Sequence, residues 1–581
     1  MATQARWLLP PDGSEQAEAL AAALGISAPA ARVLARRGYR DPSAARRFLR
    51  PSLDDLADPF LMLGMREALE RLRRAITAGE KILLYGDYDA DGTTAVVIMK
   101  KAIELAGGQA AFHIPNRLKD GYGMRIEVIE QAASAGVKLI VSLDTGIRAS
   151  EAVGRARSLG VDVIIADHHL PEEQLPPACA ILNPKQPGCG YPDKELCAAG
   201  VTFKLVQALL GTLGWSAGRL RRMTASFLKI VAIGTVADVV PLTGENRVIV
   251  KHGLEGLRSV RSPGLRALLR VAGFAEGEAP TANQVAFRIA PHLNAAGRMA
   301  DANAIVSLLL TDQDEEARRL AGRLHDLNRE RQDVQTEIVR AVLDECLKTP
   351  VTDEQPALIF VGREWHRGVV GIVASRLVER FRRPVFVLSE DAEQGVLQGS
   401  ARSTSRFHLL EALESMPELL IRFGGHRQAA GLTLSSDRGE EFRRRMLEYA
   451  AERLTSADFV EEIEVDSVLE FDEVTDQSVA DLLAMAPFGC GNPPPVFAAY
   501  GVEVAGSPVV WRERHLMLSL RQNGRTLMLK AWQSADRAGE FTPGARLDVA
   551  LSLESDEYAL TRGHPGWCAI LRDARPSAAG R

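Results

Sequence analysis

Gly86-Asp87-Tyr88-Asp89-Ala90-Asp91-Gly92 decides how this chain is read. It follows the apolar run Ile82-Leu83-Leu84 and leads into Thr93-Thr94-Ala95-Val96-Val97-Ile98, the start of a buried helix. Three carboxylates thus alternate along a strand-to-helix loop, where they repel one another and raise one another's pKa values. Surface turns commonly carry two acids. Three at this spacing between glycines point to a divalent cation, because hard cations take carboxylate oxygens.

Outward from the loop, short apolar runs alternate with amphipathic stretches. Strands are expected at 81–85, 110–114, 138–143 and 161–166, and helices at 93–105, 125–135 and 149–159. That alternation predicts an α/β fold with a doubly wound parallel sheet, whose ligands collect beyond the carboxyl ends of the strands. The polar residues lie there. Asp144-Thr145-Gly146 follows Leu143, Asp167-His168-His169 follows Ala166, and Asp238 follows the apolar run 230–237.

Four such clusters point to shared metal coordination. Asp89, Asp91, Asp144, His168 and Asp238, helped by Asp87, supply enough ligands for two divalent ions, with Asp144 as a bridge. A mostly oxygen set with one imidazole suits Mn²⁺ or Mg²⁺, and the imidazole favours manganese. Such a pair serves phosphate displacement. His169, beside a ligand, is placed to hold a phosphoryl oxygen or protonate a leaving group. With Asp144 and Asp87 it forms the expected catalytic set, Asp87 being either a ligand or an acceptor that orients a bound water or His169.

The chain of 581 residues, 46% hydrophobic and 25% charged, is of soluble multi-domain character. No apolar run approaches the ~20 residues needed to cross a bilayer, and the opening residues lack a signal-peptide pattern. Six cysteines without a Cys-x-x-Cys pair give neither a zinc site nor a disulfide framework, so a reducing cytoplasm is expected. The net charge of −5 does not advertise a nucleic-acid partner, yet an acidic metal site and a basic channel can coexist in one chain. Walker, nucleophile-elbow and Rossmann glycine signatures are absent.

Five segments follow from composition. Residues 1–75, rich in Ala, Arg and Leu, read as an N-terminal helical cap, with Asp41 capping a helix that starts at Pro42-Ser43. The metal-bearing domain covers 76–310. Residues 311–348 form a long polar helix that could bridge two domains, and 349–458 a second α/β domain. Within it, Gly399-Ser400-Ala401-Arg402-Ser403 and Gly424-Gly425-His426 set small residues beside Ser, Arg and His, which lets a backbone approach phosphate closely. Residues 459–581 turn to short alternating runs that fit a C-terminal OB-like β-barrel, where Trp511, Arg514, His515, Lys530 and Trp532 could stack bases and hold phosphates.

Asp87-x-Asp89-x-Asp91-Gly92, Asp144, Asp167-His168-His169 and Val236-Ala237-Asp238 resemble the four motifs of the DHH phosphoesterases, and Gly424-Gly425-His426 resembles the hallmark of their associated domain. With the OB-like tail, Pro115-Asn116-Arg117, Gly121-Tyr122-Gly123 and Asn294-Ala295-Ala296-Gly297-Arg298, the chain is similar to the branch that degrades single-stranded DNA from the 5′ end. The resemblance implies a Mn²⁺- or Mg²⁺-dependent exonuclease acting in DNA repair and recombination, working beside a helicase and a single-strand-binding protein. A monomer without membrane attachment is expected. It further implies that Arg117, Arg298, Ser400 and Arg402 lie near the 5′ end or backbone of the strand and that His426 contacts substrate phosphate. At Pro291-His292-Leu293 the family pattern implies an arginine where this chain has His292, which could still donate to phosphate. Two other readings exist. Shorter DHH proteins hydrolyse very short oligonucleotides (nanoRNase-like), and a non-catalytic replication scaffold would have lost metal ligands.

Overall fold

The computed structural model describes residues 5–9, 14–117, 120–121, 123–556 and 565–577; Tyr122 of the Gly121-Tyr122-Gly123 motif lies outside them. The chain divides into two compact units. One joins Asp58–Asp238 with His252–Val460, and the other joins Met1–Ala57, Val239–Lys251 and Glu461–Arg581.

The first unit is built on a five-stranded parallel sheet. Its order is Ala110–His113, Lys81–Tyr85, Val137–Leu143, Asp162–Ala166, Ala180–Leu182. The strands are apolar on both faces because both are covered. Leu83, Ile140, Val163 and Ile165 pack with Ile129, Ala132, Val153 and Ala156 from helices Ile126–Ser134 and Ser150–Ser158. Helices Ala90–Leu105 and Ala198–Gly211 cover the opposite side. The chain starts at Lys81–Tyr85, adds a strand on one side and then continues on the other. The switch point therefore lies between Lys81–Tyr85 and Val137–Leu143, where such sheets open a crevice.

One sequence expectation fails here. The apolar run 230–237 is no strand; it is the last two turns of the helix Ala217–Ala237, and Asp238 follows a helix end. A short, wholly apolar run does not distinguish a buried helix from a buried strand by periodicity. Its small residues serve close helix packing: a Cβ on Gly234 would come within 2.5 Å of Thr94 Oγ1 and 3.0 Å of Ala199 Cβ. The short strand Ala180–Leu182 also escaped the pattern.

The helix Asp314–Lys348 runs 35 residues, about 52 Å at 1.5 Å per residue. Its N-terminal half buries Ala317, Leu320, Ala321 and Leu324 beside helices Pro263–Val271 and Ala290–Met299, while Ile338 and Val342 enter the core of the second α/β domain. That domain has a sheet in the order Arg422–Gly425, Ala429–Ser435, Val396–Arg402, Val385–Asp391, Leu358–Arg363, with only the last pair parallel. The stretch expected as a phosphate-approach segment around Ser400 is mostly strand, not loop.

In the other unit, Val496–Val504, Arg546–Ser555, Trp567–Pro576, Arg525–Ala531 and His515–Gln522 pair in turn. The first and last also pair through Val504 and Leu520, which closes an OB-like barrel. Trp511, His515 and Trp532 form one ring cluster with centroids 4.9 to 5.7 Å apart, and Trp532 is half exposed. Lys530 is paired with Asp556 at 2.5 Å. The expected cap 1–75 divides at Ala57. Leu20, Ala31, Leu34 and Phe48 share a core with Leu482, Phe497, Leu518 and Leu547 of the C-terminal region. The apolar stripes of these short helices need a partner surface, and sequence does not say which one they find. Asp41 does cap the helix Pro42–Leu49, accepting from Ala44 N at 2.8 Å. Leu34→Ala should therefore cost about 2–5 kcal/mol and speed amide exchange at Phe497, Leu518 and Leu547 in the barrel; exchange confined to the N-terminal helices would contradict a shared core.

Candidate metal centre and nucleic-acid cleft

The acidic loop is folded tightly against its own helix. A Cβ on Gly92 would lie 2.7 Å from Asp87 N, and one on Gly86 would lie 2.5 Å from Val96. Asp89 caps the helix Ala90–Leu105, its Oδ1 accepting from Asp91 N at 2.9 Å and Gly92 N at 3.1 Å. Asp91 reaches the N-terminus of Ala198–Gly211, where Oδ2 accepts from Ala198 N at 2.7 Å and Oδ1 from Ala199 N at 2.9 Å. The positive end of that helix holds a negative side chain at the centre of the site. Asp144 sits at φ 65°, a left-handed conformation that turns its side chain out of the strand line.

These elements bring the sequence-derived acids together. His168 Nε2 lies 3.4 Å from Asp144 Oδ1, 3.7 Å from Asp238 Oδ2 and 4.0 Å from Asp91 Oδ2. Ligand atoms fall into sets within 4.8 Å: Asp87, Asp89 and Asp144; Asp91, His168 and Asp238; and Asp144, His168 and His169. Asp144 belongs to two carboxylate-bearing sets, as a bridging position requires.

Electrostatics identifies what these atoms lack. Burial, then neighbouring carboxylates, push Asp87, Asp144 and Asp238 well above the usual carboxylate range, and Asp91 up to about 6. Burial and then His169 push His168 down to about 3, leaving it neutral with a lone pair to give. Asp87 Oδ1 and Asp238 Oδ2 are buried without a hydrogen-bond partner among the described residues. Buried oxygens with no donor, beside a neutral imidazole, fit divalent cations.

Asp167 has a different job. Its Oδ1 accepts from His168 N at 2.7 Å and His169 N at 3.1 Å and lies 2.7 Å from His169 Nδ1, while Oδ2 accepts from Ile147 N at 3.1 Å. Those bonds, with the charges of both histidines, overcome burial and hold it down at about 2. It anchors the His169 ring through Nδ1, and the same contact raises the His169 pKa against its burial. Asn183 Nδ2 fixes the His169 backbone through its carbonyl at 2.9 Å.

Across a cleft of about 970 Å³ lie the residues implied by the resemblance. Arg117, Ser400, Arg402 and His426 line it together with His169. Arg298, on Ala290–Met299, donates to Gly368 O at 3.2 Å. Burial, then Arg117 and Arg402, push its pKa down to about 9 against the opposing charge of Asp89, so three guanidinium groups converge beside the acidic loop. His426 is lowered by burial and then by Arg148 and His169. The cleft wall carries Arg117, Arg148, Arg402 and Arg422 against Glu151 and the engaged Asp167, so it is basic in a chain of net charge −5.

Sequence reasoning missed several supports. Asn294 Oδ1 accepts from Ala90 N at 2.9 Å, tying its helix to the acidic loop. Arg117 stacks on Tyr88 at 4.9 Å. Gly371 lets a helix start approach, since a Cβ there would be 3.1 Å from Arg402 Nη2 and 3.3 Å from Ser400 Oγ. His292 does not reach for phosphate: it is buried, its Nδ1 2.7 Å from Arg288 O and its Nε2 3.2 Å from His325 Nδ1. Both ring nitrogens are engaged inside the protein.

Family models match three stretches of the chain. Residues 81–235 match the DHH family, N-terminal domain, residues 354–452 the DHHA1 domain, and residues 465–562 the RecJ OB domain. The chain is 38% identical to the single-stranded-DNA-specific exonuclease RecJ of Bacillus subtilis over 561 residues, 96% of this chain and 70% of that protein. It is 40% identical to RecJ of Escherichia coli over 481 residues, 80% and 82% of the two chains. The crystal structure of RecJ in complex with Mn²⁺ from Thermus thermophilus superposes with a TM-score of 0.83 at 32% identity, covering 99% of this chain and 80% of that one; the complex with Mg²⁺ gives 0.77 at 30%, covering 99% and 79%.

Asp167→Asn removes the carboxylate charge behind His169 and should lower turnover by roughly 10²–10⁴-fold, the range for a lost acid–base group. Manganese affinity by calorimetry should change far less; equal losses in both would show that Asp167 supports the ligands instead.

Proposed function

This chain belongs to the RecJ family of single-stranded-DNA-specific exonucleases, and from that footing we propose that it removes nucleotides from the 5′ end through a two-ion centre. It is a metal-dependent exonuclease. The observation that carries the fuller reading is the juxtaposition of mutually repelling buried acids with a basic cleft.

In this reading Asp87, Asp89 and Asp144 would hold one ion and Asp91, His168 and Asp238 the other, with Asp144, 3.4 Å from His168, near both sets. The ions are Mn²⁺ or Mg²⁺. When bound, divalent ions of this kind lower the pKa of water and stabilise charge on the oxygens exchanged in phosphodiester hydrolysis. The protein does the remainder. Asp167 orients His169, which lines the cleft and there holds a phosphoryl oxygen or protonates the leaving oxygen. Arg117, Arg298, Ser400 and Arg402 take the terminal phosphate and backbone, since planar guanidinium forks match phosphate oxygens. His426 contacts the neighbouring phosphate from the opposite wall.

The working domain assignment is catalysis in 76–310, a spacer in 311–348, the second cleft wall in 349–458 and a nucleic-acid platform in 459–581. Six cysteines without a Cys-x-x-Cys pair accord with a cytoplasmic setting, and no single described helix is long and apolar enough to cross a membrane. A monomer acting in repair and recombination, on strands opened by a helicase and covered by a single-strand-binding protein, completes the proposal.

Asp144→Ala should lower hydrolysis roughly 10³-fold or more, the several kcal/mol that metal charge stabilisation supplies, while single-strand binding persists through the arginines. Near-normal turnover would refute the shared-ion centre. With Mn²⁺, the wild type should release mononucleotides from a single strand labelled at its 5′ end and leave a blunt duplex intact. Release from the 3′ end would reverse the polarity, and cleavage of a dinucleotide alone would favour the oligonucleotide phosphodiesterase reading.

A further inference from the structure

Not every arginine on the cleft wall is used by the site above, and the unused ones differ in a telling way. Arg367 is neutralised by Asp391 at 2.8 Å. Arg148 and Arg422 are exposed and have no carboxylate partner among the described residues. Arg148 lies four residues after Asp144 and is steadied by its Nε, which donates to Leu170 O at 2.8 Å, directly beyond His168-His169. Its remaining nitrogens are left for another acceptor, and its charge is felt by His426 across the cleft.

Arg422 belongs to the edge strand Arg422–Gly425, and the sheet register defines its surroundings. Arg422 pairs with Thr433, which pairs with Gln398; Gly424 pairs with Gly431, which pairs with Ser400; Ala429 pairs with Arg402. Side chains alternate along a strand, so these three rows share one face. The other face is spoken for: Leu397, Ala401, Ala430, Leu432 and Leu434 are in the domain core. The middle row is a flat floor, since a Cβ on Gly424 would meet nothing within 4 Å and one on Gly431 only Gly399 O at 3.9 Å. Arg402 thus marks one end of an open furrow and Arg422 the other, four residues apart in register, about 13 Å at ~3.3 Å per residue. Along the edge strand the same spacing separates Arg422 from His426, which faces Arg148.

We propose that Arg148 and Arg422 form a phosphate-binding track for the nucleotides that follow the scissile bond, leading the single strand out over the glycine floor of this sheet. The inference rests on the functional reading above, in which Arg117, Arg298, Ser400 and Arg402 hold the strand's end. The ligand is the backbone of single-stranded nucleic acid, recognised through charge and without base identity. The track gives the enzyme a grip on strand length: a substrate of two or three nucleotides ends before Arg422, whereas a longer one reaches both arginines. Arg148 and Arg422 are positioning residues in this account.

The test is the salt dependence of kcat/KM for the Mn²⁺-loaded full chain on a thymidine strand of ~20 nucleotides. Each phosphate neutralised on a single strand contributes about 0.7 to the slope of log kcat/KM against log salt. Arg148→Gln and Arg422→Gln should each lower that slope by about 0.7 and the pair by about 1.4, with KM raised roughly tenfold at low salt and the loss much smaller on a trinucleotide. Arg367→Gln, whose charge is already paired, should keep the wild-type slope. A slope unchanged in the double variant, or an equal loss on the trinucleotide and the long strand, overturns the track while leaving the exonuclease reading intact. Failure of the wild type to degrade single strands overturns both.

Discussion

Mutual repulsion among buried carboxylates is the constraint on which this molecule turns. Asp87, Asp91 and Asp144 are almost completely buried and face Asp89 and Asp238 across a few ångströms. Desolvation and like charge both penalise such a group, and the penalties reinforce one another. The fold offsets part of this with backbone dipoles. Asp89 takes two amides of its own helix, and Asp91 takes two amides at the start of Ala198–Gly211. The remainder is left for cations: Asp87 Oδ1 and Asp238 Oδ2 reach no donor among the described residues, and burial and His169 keep His168 neutral.

Much of the architecture follows from delivering those acids to one point. The parallel sheet supplies the switch-point crevice, the helix Ala217–Ala237 carries Asp238 into it, and Asn294 pins the acidic loop from a third direction. Asp167 stands apart from the acids it adjoins. Saturated by amides and by His169, it stays ionised where its neighbours are driven toward protonation. Buried carboxylates of neighbouring motifs thus acquire different roles through their hydrogen bonds and the charges beside them.

Charge is separated within the first unit. The negative centre lies at the sheet's carboxyl edge, and the basic cleft wall faces it. The 35-residue helix Asp314–Lys348 joins the two sides by entering both cores, and this couples the cleft width to a rigid element.

The acids, their order and their chemistry were legible in the linear chain, because each follows an apolar run and carboxylates in such numbers have few physical uses. The resemblance to DHH phosphoesterases supplied the basic residues. What the chain could not disclose was anything settled by a distant partner. The run 230–237 looked like a strand because a wholly buried segment has no polar face to reveal its period. The N-terminal helices read only as a helical cap before the first strand, because their apolar stripes do not name the surface they cover; Leu20, Leu34 and Phe48 share their core with the C-terminal barrel. His292 looked able to meet phosphate until His325, 33 residues away, took its second nitrogen. Local pattern determined which side chains carry the chemistry. Tertiary packing decided which of their atoms remain free, since each hydrogen bond formed at long range removes one from the site.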